Sequence, residues 1–226
     1  MPIGSLVNTG AVILGSALGL LLRSRFPEKI KVIIFQAIGL ATLVLGMEMA
    51  LQTGNFLVLI FSLILGGIVG ELVQLERGLE RLGERLKARI NAGDERFTEG
   101  LVTAFLIFCI GSMTFVGALN EGLSGDRTLI YTKALLDGFT SIALASVYGL
   151  GVIFSALPLL LIQGGISLLA RQFQDFFTPL LINELTAVGG VLILGIGIGL
   201  LEIKRLRTTN LLPALLVVVI LTLTVY

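Results

Sequence analysis

The sequence predicts an all-α, polytopic integral membrane bundle of about seven or eight transmembrane helices, and three observations carry that prediction. Mean hydropathy is +1.01, with 55% hydrophobic and 14% charged residues, far from the balance of a soluble globular domain. Apolar runs approaching the roughly 20 residues needed to span a bilayer recur along the whole chain. Lys and Arg gather in a few of the links between those runs instead of being spread evenly.

Eight segments are expected to span, near 3–22, 31–51, 56–74, 99–119, 129–149, 152–170, 183–203 and 210–226. The first has no basic stretch ahead of it and a basic cluster behind it, the pattern of a retained helix and not of a cleaved signal. The link after it holds Arg23, Arg25, Lys29 and Lys31, and also Pro27, whose missing N–H does no harm there. Residues 52–55 make a tight hairpin into the third span. That span is expected to run on as an amphipathic cytoplasmic or interfacial helix over 71–92, since Leu72, Leu75, Leu79, Leu82, Leu86 and Ile90 recur at three and four. Such a helix packs against the bundle or the interface, and it could also dock a partner or anionic lipid.

Glycines and polar residues interrupt the fourth span, at Gly111, Ser112 and Gly117 and then through Asn120, Glu121, Gly122, Ser124, Gly125 and Asp126. A broken helix survives in lipid only where it is buried or lines a wet cavity. The stretch 120–126 therefore reads either as an unwound, ligand-facing segment or as the loop between spans four and five. In the fifth span Asp137 is the sharpest signal, because an acid at a helix centre costs about 2.5–3.5 kcal/mol to insert. Thr140 and Ser141 follow it near one face. Lys133, one turn earlier, offers a competing account in which the two pair and reach the outer interface. Asn8 in the first span, and Asn183 with Glu184 at the start of the seventh, complete the candidate substrate or ion ligands. Asn210 and Pro213 open the last segment as cap and first-turn residues.

With eight spans, thirteen of the sixteen Lys and Arg fall on one side of the membrane, and the positive-inside rule puts both termini outside the cytoplasm. The chain reads as one membrane domain, 1–226, with C-terminal helices over 183–226. Similar runs at 64–68 (ILGGI) and 162–166 (IQGGI) suggest repeat halves 1–97 and 98–180. Each half would hold three spans, so their topologies would be opposite, the inverted 3+3 arrangement of many secondary transporters. The pairs Gly15 and Gly19, and Gly195 and Gly199, have the GxxxG spacing that lets helices approach closely.

Several functions are excluded by composition. The chain has one cysteine and no histidine, so it has no intrachain disulfide, no HExxH metal site and no histidine base. Residues 122–125 spell the GxSG of rhomboid-type proteases, but that serine needs a histidine to activate it, so the chain is not expected to be an enzyme. A net charge of +1 gives no field for nucleic acid. No cofactor or metal is expected. The expected partners are the lipid bilayer, a small solute or ion, and a second copy in a homo-oligomer.

The runs GSLVNTGAVILGSALG (4–19), GALNEGLSGD (117–126), LLDGFTS (135–141), NELTAVGG (183–190) and NLLPAL (210–215) resemble the YqgA/YdfK-type bacterial integral membrane proteins, the DUF 554 family of unknown function. The resemblance covers nearly the whole chain. It implies a multi-pass inner-membrane protein, and it points to Asn8, Asn120, Ser124, Asp126, Asp137, Thr140, Ser141, Asn183, Glu184 and Asn210. The function expected from the residues is a secondary transporter or ion-coupled permease with a midplane site near Asp137. The alternatives are an ion channel or a noncatalytic membrane scaffold.

Overall fold

The computed structural model describes residues 2–23, 28–78, 81, 96–173, 175–204 and 206–225, and the regular elements among them are helices. In order they are α1 (Ile3–Arg23), α2 (Glu28–Ala50), α3 (Phe56–Val73), α4 (Phe97–Cys109), α5 (Ser112–Ser124) and α6 (Thr128–Tyr148). Next comes α7, an interrupted segment assembled from Gly151–Phe154, Ala156–Leu159, a π turn at Leu160–Gly164, Gly165–Leu168 and Ala170–Phe173. The last two are α8 (Pro179–Leu200) and α9 (Ala214–Val225), with a 3-10 turn at Thr208–Leu211 ahead of α9.

Among the described residues five segments are long and apolar enough to cross a membrane: Ile3–Arg23, Phe56–Val73, Gly151–Leu168, Pro179–Gly199 and Thr208–Val225. The bent pair α4–α5 raises the number to six. The expected second and fifth spans are helical but do not meet that measure; α2 contributes only the shorter apolar stretch Gln36–Ala50.

Contacts divide the chain into two compact units, one from Met1–Ile34 with Gly93–Thr178, the other from Phe35–Ala92 with Pro179–Tyr226. These units interleave along the sequence, so they are a different partition from the successive halves 1–97 and 98–180. The IQGGI run includes part of the π turn, whereas ILGGI lies in regular α3.

In the first unit α1 is inside out relative to a helix of a soluble protein. The buried residues of α1 are Gly4, Ser5, Asn8, Thr9, Val12, Gly15, Ser16 and Gly19, a stripe of small and polar side chains at three and four. Its large apolar residues, Leu6, Val7, Ile13, Leu14 and Leu18, point outward. Lipid is as apolar as leucine, so helices in it associate through close backbone approach and polar contacts, not through burial of bulk. Gly4 of α1 lies against Ile130, Gly15 against Gly138 and Ser141, and Gly19 against Ile142 and Ala145, so α1 and α6 run parallel. Parallel spans in one chain require an odd number of crossings between them.

A side chain at Gly15 would overlap the Gly138 carbonyl and the Ser141 hydroxyl, whereas one at Gly10 would meet nothing within 4 Å. Gly15→Val is therefore expected to cost about 1–3 kcal/mol through overpacking, and Gly10→Ala to be neutral or better. Denaturation in detergent followed by circular dichroism checks both, and equal behaviour of the two variants would contradict the packing account.

In the second unit glycines make the same close approach. Gly46 and Gly190 bring α2 against α8, and Gly66 and Gly70 bring α3 against Ala214 and Asn210. Asn55 caps α3, its Oδ1 accepting from Leu57 N at 3.0 Å. The helix stops at Gln74, which is left-handed at φ 54°. The expected helix over 71–92 is thus interrupted at Gln74: α3 ends at Val73, and the chain is helical again at 75–78. Residues 79–95, apart from 81, lie outside the described residues. Beside that end, Glu71 accepts from Arg207 Nη1 at 2.6 Å and Asn210 Nδ2 at 2.8 Å, and Asn210 Oδ1 accepts from Glu76 N at 2.8 Å.

The fourth segment is bent at Gly111, one of the residues expected to interrupt it, and not within 120–126. Helices α4 and α5 meet at a 54° bend at Ile110 and Gly111, where Gly111 is extended (φ −75°, ψ 148°). Thr114 spans the gap, its Oγ1 donating to the Phe108 carbonyl at 2.8 Å. A carbonyl near the bend thus keeps a partner, as an apolar surround demands. Asn120, Glu121 and Ser124 are helical, and α5 ends normally at Gly125 (φ 77°) in the left-handed conformation that favours glycine.

Candidate functional site

The site is built from the buried face of α6. Ile130, Lys133, Ala134, Asp137, Ser141 and Leu144 are buried, while Tyr131, Leu135, Leu136 and Phe139 are exposed. With its bulky apolar residues directed outward, α6 has to carry both charges inward. Asp137 stands nine residues beyond Thr128, about 13 Å along the helix axis.

Four polar side chains from three helices meet there. Lys133 Nζ donates to Asp137 Oδ2 and forms an ion pair with it. Lys133 also lies 5.9 Å from the centroid of the Phe108 ring, within range of a cation–π contact. From α1, Asn8 Nδ2 donates to Asp137 Oδ2 at 3.0 Å and to Gln163 Oε1 at 3.1 Å. Gln163 belongs to the π turn of α7. Pro158, just ahead of that turn, has no N–H to give the helix ladder, and single π turns occur often at functional sites. All four residues are buried, Asn8 and Gln163 completely. Among the described residues, two of their atoms, Asn8 Oδ1 and Gln163 Nε2, have no hydrogen-bond partner. The pairing offered as the competing account is present, but the pair is enclosed and does not reach outward.

Glu121 forms a separate buried cluster at the N-terminus of α1. Its Oε1 accepts from Gly4 N at 2.6 Å and Arg127 Nε at 3.1 Å. Its Oε2 accepts from Ser5 N at 3.4 Å, Ser5 Oγ at 3.1 Å and Ser167 Oγ at 3.2 Å. Helix N-termini present unpaired N–H groups and a positive dipole end, so this carboxylate caps α1 from another helix. In the second unit Glu184 caps the entry to α3, accepting from Thr53 Oγ1 at 2.7 Å, Gly54 N at 2.8 Å and Asn55 N at 3.0 Å.

Of the expected ligands, then, the structure brings Asn8 and Asp137 together. Ser141 is buried one turn further along α6 and donates to the Gly138 carbonyl at 2.8 Å; Thr140 beside it is half-buried. Asn120 is half-buried, and Ser124 and Asp126 are exposed. The last two make local bonds, Ser124 Oγ to Asn120 O at 2.8 Å and Thr128 N to Asp126 Oδ1 at 2.9 Å. The bonds from Thr128 hold the Asp126 carboxyl below the usual carboxylate range. These residues form the end of α5 and the turn after it, so most of 120–126 is neither unwound nor loop. Asn183 is exposed and, with Glu184, lies in the other unit. Ser112 is the first residue of α5, and its side chain lies outside the described residues.

Sequence reasoning offered the Lys133–Asp137 pair as a competing account, but as a pair reaching the outer interface, and it missed Gln163. The only signal for Gln163 was a lone amide inside a long apolar run.

Residues 3–223 match the family described as "Protein of unknown function (DUF554)". The chain belongs to this family. It is 38% identical over 218 residues to "Uncharacterized membrane protein YdfK" of Bacillus subtilis (strain 168), covering 95% of this chain and 93% of that one. It is 34% identical over 221 residues to "Uncharacterized protein YqgA" of Escherichia coli (strain K12), covering 96% and 94%. No solved structure matches. This DUF554 member is thus a membrane protein of a family whose function is unknown, and the buried cluster is the chemistry from which a function can be argued.

Proposed function

We propose that this DUF554 protein is a small secondary transporter or ion-coupled permease, multi-pass in the inner membrane, whose site is the Asn8–Lys133–Asp137–Gln163 cluster. The carrying observation is that the cluster is polar, buried and incompletely paired. Stability alone gives no reason to keep it, since a buried ion pair is often matched or bettered by apolar residues of similar volume. Intramembrane ionisable residues characteristically mark substrate or ion pathways. The bend at Ile110–Gly111 and the π turn in α7 are irregular backbone of the kind transporters place beside their sites. An inverted repeat and a homo-oligomer belong to the same proposal. No catalysis does, since the Ser124 hydroxyl is spent on its own helix and the chain has no histidine.

The test is flux into liposomes holding purified protein, across a panel of ions and small metabolites. Asn8→Ala and Asp137→Asn variants that retain their helical circular dichroism are expected to lose most of the flux. Undiminished flux in both would remove the site from the proposal. Unitary currents would favour the channel alternative over a carrier.

A further inference from the structure

We infer that the site takes an uncharged solute able both to donate and to accept a hydrogen bond, and not a bare ion. This rests on the transport reading above and narrows it to a chemical class. The buried charges described in the first unit are each matched by an opposite one, Lys133 and Asp137 by each other and Glu121 by the half-buried Arg127. An entering ion would find no unmatched counter-charge, and to gain one it would have to break a pair in a low-dielectric interior.

What the cluster leaves over is of another kind, an amide oxygen on Asn8 and an amide N–H on Gln163. Their identities follow from the carboxylate. The Asn8 atom 3.0 Å from Asp137 Oδ2 has to be the nitrogen, because an oxygen there would face a second acceptor. That same nitrogen lies 3.1 Å from Gln163, so the Gln163 atom facing it has to be Oε1. The network is thus oriented outward from Asp137, and it ends in an unpartnered amide oxygen on α1 and an unpartnered amide NH2 group on α7. Of these two groups a metal cation could use only the Asn8 oxygen and a simple anion only the Gln163 amide, and the nearest charges, Asp137 and Lys133, already neutralise each other. A carboxamide, a small alcohol or water uses both, and an unmatched buried polar group is costly enough to reward the ligand that matches it.

Stopped-flow light scattering on proteoliposomes tests this directly, with urea, formamide or glycerol as the permeant solute after an impermeant sucrose shock. The expected result is faster entry of at least one such solute, or of water, than in protein-free vesicles. Gln163→Met should slow it on the order of tenfold, the discrimination expected when one buried hydrogen bond is lost. Gln163→Glu keeps an acceptor for Asn8 but turns the spare donor into an acceptor, and it should slow entry similarly. Ser146→Ala, outside the cluster, should leave entry unchanged. Sodium, potassium or chloride current in the absence of any neutral solute would overturn the inference while leaving a transport function standing. No flux of any species, from protein with an intact helical spectrum, would overturn both.

Discussion

Asp137→Leu, made with Lys133 left in place, is expected to lose about 3–5 kcal/mol of stability, because it strands an ammonium in a buried site. It also removes the acceptor that Asn8 Nδ2 uses at 3.0 Å. Lys133→Met alone should be damaging for the mirror-image reason. The double variant Lys133→Met/Asp137→Leu should recover most of the loss, since a paired removal leaves no orphan charge and an apolar pair packs at little cost. Reversible detergent denaturation of the four proteins closes the cycle. Additive losses, with no recovery in the double variant, would show that the two side chains do not act as a pair. If the double variant is stable yet transports nothing, the pair is retained for function and not for folding.

Glu121→Ala is the second large effect. It deprives the Gly4 and Ser5 N–H groups, the Ser5 and Ser167 hydroxyls and the Arg127 guanidinium of one shared acceptor. Each buried donor left unsatisfied ordinarily costs about 1–3 kcal/mol. The terms do not add, but a loss of more than about 3 kcal/mol is expected. Glu121→Gln keeps the shape and removes the charge that the N-terminal dipole of α1 favours, an effect of about 1–2 kcal/mol. Hydrogen exchange locates the damage, and the Gly4 and Ser5 amides should exchange faster in both variants. Unchanged protection there, together with unchanged unfolding, would refute the capping role.

The cluster was legible in the sequence where a polar residue had no local excuse. Asp137 in the middle of an apolar span and Asn8 in the first helix stood out because lipid makes such residues expensive. The helix break was legible as a glycine effect with Gly111 among its candidates, but several glycines fit the sequence pattern and only packing selected Gly111. Glu121 and Glu184 stood out as polar, but their job did not. A carboxylate that caps the start of a different helix leaves no mark on its own neighbours in the chain. Gln163 was hidden by the same logic, since its meaning depends on a π turn and on an amide far away in sequence.

Hydropathy, charge placement and the quoted motifs belong to the chain before it folds, and from them alone came the membrane class, the helical architecture and the family resemblance. Each of these sums local transfer free energies or local spacing, which no partner is needed to define. Which polar atoms are matched and which are left over was decided only when α1, α6 and α7 came together. Hydrogen bonds and ion pairs are short-ranged and directional, so they belong to the helix faces that meet and not to any single helix.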